Sequence, residues 1–255
     1  VFRNSRRLRW HYRSKHESLI NFSNKHIYGG NLILFPSPQL PSIKEDTNSL
    51  KKNELGVYRE YIEGGIYSEG INLIEADRII IQALAFMRQS PQRSLGIVAL
   101  NQKQRDLLME KMNLLFEKDD MARAYREKWE NQKEGLESFF IKNLENVQGD
   151  ERDVIFISTV YGPEKAGSPV MQRFGPISGK AGRRRLNVLF TRAKEKIVTF
   201  TSLRADDIKA EESNNSGSYM LKLWLEYSAT GGNIHSGEIT YQEPDSDFER
   251  YVIEQ

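Results

Sequence analysis

The stretch ENVQGDERDVIFISTVYG, Glu145 to Gly162, joins two unlike halves. Its second half is a short apolar run rich in β-branched residues and reads as a strand buried on both faces. Its first half is polar, charged and turn-like. In an open α/β sheet, ligands gather at the loops that follow the strands. Here the polar turn precedes its strand, so it needs a reason of its own.

Working outward, the same alternation of short apolar runs and amphipathic segments continues in both directions. Toward the amino end, "SLGIVAL" (Ser94–Leu100) reads as a buried strand. It turns directly into "NQKQRDLLMEKMNLLF", an amphipathic helix. The charged stretch Glu117 to Glu134 continues as helix or helical hairpin, and "SFFIKN" is a further strand. Asn72 is placed to cap a helix over Leu73–Arg88 whose buried stripe is Ile79, Ile80, Ala83, Leu84 and Met87. "GVYREYIEGGIY" is strand-like with a Gly-Gly turn, and "ESLINFSNKHIY" has helical spacing. "RLRWHYR" is a short strand or its exit, "NLILFPSP" is extended, and Gln39–Lys52 is a polar loop.

Toward the carboxyl end, Gly162–Gly182 is a long Gly/Pro/Ser-containing loop. "RRRLNVLFTRAK" is predicted to be a helix with Leu186, Leu189, Phe190 and Ala193 as its core stripe. "KIVTFTSL" is a strand, Lys209–Ser218 is expected to be disordered, and "YMLKLWLEYSA" is a final helix. Strands alternating with helices predict a parallel α/β sheet with helices on both faces. The expected division is one α/β domain over 1–204, a C-terminal helix and linker over 205–240, and the start of a further, truncated domain over 241–255.

Composition narrows the chemistry. The chain has 255 residues, 38% hydrophobic and 28% charged, with a net charge of +2. There is no cysteine, which excludes disulfides and thiolate metal sites. The four histidines show no metal-ligand spacing, so no metal site is expected. No apolar run is long enough to span a bilayer and no secretory signal is present, which makes the cytoplasm the expected setting. The chain starts without Met and reads as a piece of a longer protein. Basic residues cluster in Val1–Lys15 and again in Arg183–Lys196, a distribution that suits phosphates but also suits ordinary solvated faces.

No G-x-x-x-x-G-K-[ST] phosphate loop occurs; "GPISGKA" (Gly175–Ala181) is one residue short and has Ala181 where a hydroxyl is needed. Asp206-Asp207 reads as a helix cap. In the predicted helix, Arg185 and Arg192 are seven apart and share a face. Arg192 is either a snorkelling or ion-paired arginine, or a guanidinium held rigidly toward a phosphate. Helical spacing does not choose between them.

Three motifs in order do more. "LRWHYRS" (Leu8–Ser14), "VQGDERDVIFIS" (Val147–Ser158) and "RRLNVLFTRAK" (Arg184–Lys194) together resemble the second RecA-like domain of superfamily 1 helicases, closest to the Upf-like branch. There the motifs read roughly Q-Y-R, Q-G-x-E-x-D and R-R-L-N-V-x-x-T-R-A. The resemblance covers roughly Leu8 to Ser202; His11 replaces the usual Gln, and Phe190 replaces a smaller residue. The fuller wording is similar to large bacterial members with a C-terminal nuclease-like domain.

The resemblance implies a RecA-like fold and an ATP-dependent motor. Tyr12 would stack near the base, Arg13 would meet the γ-phosphate, and Arg192 would be the arginine finger. Gln148, Gly149 and Glu151 would form the turn facing the nucleotide; Asp153 matches the pattern and either shares that role or only organises the turn. Asn101, Gln102 and Gln104, at a strand-to-helix junction, would touch a nucleic-acid backbone, a role that a plain polar N-cap fits equally well. Lys180 would line the strand channel. The implied partners are single-stranded nucleic acid, DNA in preference to RNA, a preceding RecA-like domain and a following nuclease-like domain. ATP with Mg²⁺ is the implied cofactor, with the metal ligands on the preceding domain. The rival expectation is a non-catalytic nucleic-acid-binding module on the same fold; a nucleotide-binding signalling domain is disfavoured by the missing phosphate loop.

Overall fold

The computed structural model describes residues 13–34 and 55–232. Its centre is a five-stranded sheet in which every pairing is parallel, in the order β1-β5-β4-β2-β3. The strands are β1 (Gly56–Tyr61), β2 (Leu95–Ala99), β3 (Phe140–Asn143), β4 (Arg152–Ser158) and β5 (Ala193–Thr201). β4 and β2 are covered on both faces, which is why they read as continuous apolar runs. Gly96 on β2 leaves room for the ring of Phe140 on β3: a Cβ there would sit 2.4 Å from that ring.

The helices divide cleanly between the two faces. α2 (Leu73–Gln89), α3 (Gln102–Lys118) and α4 (Asp120–Asn131) pack on Ile97, Val154, Phe156, Val198 and Phe200. α1 (Ser18–His26), α5 (Lys180–Phe190) and α6 (Gly217–Ala229) pack on Val57, Val98, Ile155, Ile157 and Ile197. Alternation along each strand sends successive side chains to opposite layers. The fold is therefore the expected RecA-like α/β sheet with helices on both faces.

Local chemistry sets the helix starts. The side chains of Asn72, Asn101, Asp119 and Ser216 each accept a backbone N–H three residues on, opening α2, α3, α4 and α6. Asp119 both ends α3 and caps α4, so the expected helical hairpin has a one-residue hinge. Asp207 caps a short 3-10 turn by accepting from Arg204 N, as its sequence position suggested.

Two expectations are corrected. The third motif is not one helix: α5 stops at Phe190, Thr191 closes it, and Ala193 already belongs to β5. Backbone pairing takes over there, with Arg152 N donating to Arg192 O at 3.2 Å. Arg185 and Arg192 hence do not share a helix face. Lys209–Ser218 is ordered against the fold: Lys209 N donates to the Gln172 side chain at 2.8 Å, and Gly217 N donates to Gly179 O at 3.1 Å. The "RLRWHYR" strand up to Tyr12, the Gln39–Lys52 loop and the 241–255 segment lie outside the described residues.

The α1/α5/α6 layer is held by aromatics. Trp224 stacks on Phe190 with centroids 3.8 Å apart and planes 7° from parallel, Phe22 packs edge-on to both, and the indole N–H donates to Thr199 Oγ1 at 3.0 Å. Packing thus runs past residue 204 into α6. Trp224→Ala is expected to cost ~3–5 kcal/mol, the range for a fully buried large aromatic, read as a lower urea midpoint; a loss under about 1 kcal/mol would mean that α6 is not part of this core.

Candidate functional site

The sequence-predicted residues separate to opposite ends of the sheet. Glu151 immediately precedes β4 and Arg192 immediately precedes β5, so both lie at the amino edge. Arg13 joins them there: its Nε is 3.0 Å from Glu151 Oε2, and Lys15 N donates to Lys194 O at 2.7 Å. Asn101 and Gln102 follow β2, and Lys180 opens α5, so these lie at the carboxyl edge. A strand the length of β4 puts roughly 20 Å between the two ends.

At the amino edge, β4 and β5 meet with a bulge. Arg152 pairs Ala193 and Val154 pairs Lys196, so Lys194 and Glu195 together face one residue of β4. The extra residue turns both side chains into charge clusters. Lys194 Nζ lies 2.8 Å from Glu137 Oε1 and 3.8 Å from Glu151 Oε1. Glu195 takes Lys15 at 2.6 Å and Arg93 at 2.5 Å.

Arg192 is half-buried and tethered. Its Nε donates to Val188 O at 2.9 Å and its Nη2 to Thr191 Oγ1 at 3.2 Å, so the guanidinium also satisfies the carboxyl end of α5. Burial, with the neighbouring Arg13 charge, pushes its pKa below the ordinary arginine value, against the pull of Glu151. Two guanidiniums beside one carboxylate leave this edge locally positive.

The turn before β4 is less uniform than its charges suggest. Gly149 adopts φ +90° with open space around it, so glycine is required for conformation rather than room. Gln148 is exposed beside it. Asp150 is bound by Lys142 at 2.6 Å. Asp153 accepts from both the backbone N–H and the hydroxyl of Ser94, each at 2.8 Å, while Ser94 Oγ accepts from Asp153 N at 2.9 Å. Asp153 therefore locks β4 to the start of β2, and of the three acids only Glu151 joins the arginines. Tyr12 lies outside the described residues.

At the carboxyl edge, Asn101 is an N-cap that accepts from Gln104 N at 2.8 Å and donates to Gly70 O at 2.8 Å. Gln104 is fully buried; its amide accepts from Asn72 N at 2.9 Å and donates to Asn72 O and Ser158 Oγ. It is a brace between α2, α3 and β4 and does not face solvent, against the expectation that it touches a nucleic-acid backbone. Gln102 and Lys180 are exposed.

Sequence reading missed Glu75. It sits in the first turn of α2, where an acid is common, yet it is 0% exposed and accepts from Ser158 Oγ at 2.5 Å and Val160 N at 2.8 Å. Among the described residues no group of His, Cys, Asp and Glu could hold a metal, and no helix is long and apolar enough to cross a membrane.

This is the architecture of a RecA-like α/β domain, with the sequence-predicted residues divided between the two edges of its sheet. A family model described as an AAA domain matches residues 3–204. The chain is 32% identical over 240 residues, 92% of its length, to an uncharacterized ATP-dependent helicase of Mycoplasma pneumoniae, and equally to one of Mycoplasma genitalium. It spans 19% of the length of each relative. The chain belongs to this AAA-domain family, which is that of the second RecA-like domain of Upf-like helicases.

Asp153→Ala is expected to lower stability by ~1–3 kcal/mol, because it strands the Ser94 N–H and hydroxyl. Thermal unfolding measures this, and nucleotide affinity of the folded variant should stay unchanged. A nucleotide-binding loss without a stability loss would return Asp153 to the site.

Proposed function

We propose that this domain supplies half of an ATP site at its amino edge and half of a single-strand groove at its carboxyl edge, within an ATP-driven helicase or translocase. The observation that carries the reading is the gathering of Arg13 and Arg192 around Glu151 at the ends of β4 and β5. Arg13 and Arg192 would bear on the γ-phosphate, Glu151 on the ribose, Tyr12 on the base, and Gln148 and Gly149 would line the turn. The names of the two Mycoplasma relatives support ATP dependence and helicase activity.

The reaction is phosphoryl transfer to water, in which positioning and charge do nearly everything. Arg192 is suited to it because the α5 carboxyl end already fixes Nε and Nη2, so little freedom is lost on reaching a phosphate. The described residues do not fit a Mg²⁺ site. The metal ligands and phosphate loop would come from a partner RecA-like domain, and this domain alone should not hydrolyse ATP. Asn101, Gln102 and Lys180 would contact the strand, DNA in preference to RNA, while Gln104 holds Asn101's helix in place. A nuclease-like domain after it and a cytoplasmic setting complete the proposal.

Arg192→Ala in the full-length protein is expected to leave ATP affinity nearly intact and to cut strand-stimulated turnover by roughly 10³–10⁵. Lysine should rescue little, because a point charge lacks the planar fork. Since Arg192 also caps α5, thermal stability must be measured on the same preparation. A folded Arg192→Ala protein with near-normal turnover would remove Arg192 as the arginine finger.

Strand binding supplies a second test. Affinity of this domain for a short oligonucleotide should be weak and fall as salt rises. Tight, salt-insensitive binding would contradict a half-groove lined by backbone-contacting groups.

A further inference from the structure

Just past β4 the chain does something costly. Val160 is β-branched and fully buried, yet its φ is +64°, the left-handed region that such residues avoid. A strain of this kind persists only where surroundings impose it. The turn has a visible result: Val160 and Tyr161, adjacent in sequence, both enter the core on the α1/α5/α6 side, where a continuing strand would send them to opposite faces. Tyr161 then anchors the following loop, donating its hydroxyl to Phe174 O at 2.8 Å and packing edge-on to the Phe174 ring. That loop carries exposed Lys165 and Arg173, together with Glu164, and leads to Lys180.

What imposes the turn comes from the other layer. Glu75 of α2 reaches the end of β4 and accepts from Val160 N through the same Oε1 that takes the Ser158 hydroxyl. Around it Asn72 donates to Ser202 Oγ at 3.0 Å and Gln104 donates to Ser158 Oγ at 3.2 Å. Close packing leaves no slack: a Cβ on Gly65 would fall 1.9 Å from Ser202 Oγ.

We propose that Glu75 is a positioning residue that clamps the left-handed Val160 and so sets the 162–175 loop for engaging the single strand at the carboxyl edge. The strand role rests on the function proposed above; the clamp itself does not.

Burial pushes the Glu75 carboxyl up to about 8, against the bonds from Ser158 and Val160, with Ser202 and Thr159 also favouring its charged form. The groups that face it from α2, α3, β4 and β5 are Asn72, Gln104, Ser158, Thr159, Val160 N–H and Ser202, none of them charged. A carboxyl whose folded pKa is raised makes stability fall as pH climbs from the ordinary carboxylate range through about 8. Glutamine keeps the acceptor and lacks the titration.

The test compares Glu75→Gln, Glu75→Ala and Glu75→Ala/Val160→Gly with the wild-type chain. Thermal unfolding is followed from pH 5 to 9, hydrogen exchange is read across 159–175, and affinity is measured for an oligo-dT strand at low salt. Glu75→Gln should match wild type in exchange and affinity while flattening the fall of the midpoint with pH. Glu75→Ala should exchange faster across 159–175 and bind the strand about tenfold more weakly. Glycine at 160 adopts the left-handed turn without strain, so the double variant should regain protection and affinity, or regain folding if Glu75→Ala does not fold. Unchanged exchange in folded Glu75→Ala, or no rescue by glycine, overturns the clamp. Wild-type failure to bind any strand overturns the strand role and the function it rests on, while exchange still judges the clamp.

Discussion

The pairing of β4 with β5 at their amino ends is the constraint on which the site depends. One extra residue in β5 forces Lys194 and Glu195 to share a single partner position on β4. Without that bulge, Lys194 would continue the alternation of the strand, and one of the two charged side chains would point into an apolar layer. With it, both are turned into charge clusters at the rim, and the backbone of Arg192 is pinned to Arg152. Bulges beside functional edges re-aim side chains in this way. Glu151 and Arg192, forty-odd residues apart in sequence, become neighbours because two parallel strands start side by side.

Much of this fold was legible because parallel strands buried on both faces leave an unambiguous apolar signature. β2, β4 and most of β5 fall where the runs of Val, Ile and Phe predict them, and Asn72 caps α2 as its position suggests. The end of α5 was not legible. Leu186, Leu189, Phe190 and Ala193 continue a helical stripe in sequence, and Ala193 is indeed buried. Its burial comes from β5, because backbone pairing with β4 competes with one more helical turn and wins. Local periodicity cannot register a hydrogen bond to a residue forty positions away.

The same limit explains the polar residues that were misjudged. Gln104 and Glu75 look like ordinary polar residues in a first helical turn. Their burial is decided by Ser158, Val160 and Asn72, which the sheet brings to them. The turn at Gln148–Asp153 was legible as a motif, but its charges divide by geometry: Asp153 goes to Ser94, Asp150 to Lys142, and Glu151 to the arginine edge. A string of acids in sequence carries no information about which of them a neighbouring strand has already claimed.

The two edges are joined by the same covalent chain. β4 begins at Arg152, next to Glu151 and the arginines, and ends at Ser158, bonded to Glu75. A parallel strand buried on both faces is stiff, since every backbone group along it is engaged and its side chains are packed in two layers. Were its amino end displaced, such a strand would pass the movement on more readily than bend. There it meets a left-handed valine whose conformation rests on one carboxyl oxygen. A stiff rod ending in a strained, singly clamped turn concentrates any movement in that turn, because the turn is the softest place along the path. The loop that follows, with Lys165 and Arg173, would then move more than the sheet does, and the energetic link between the edges would depend on how firmly Glu75 holds Val160.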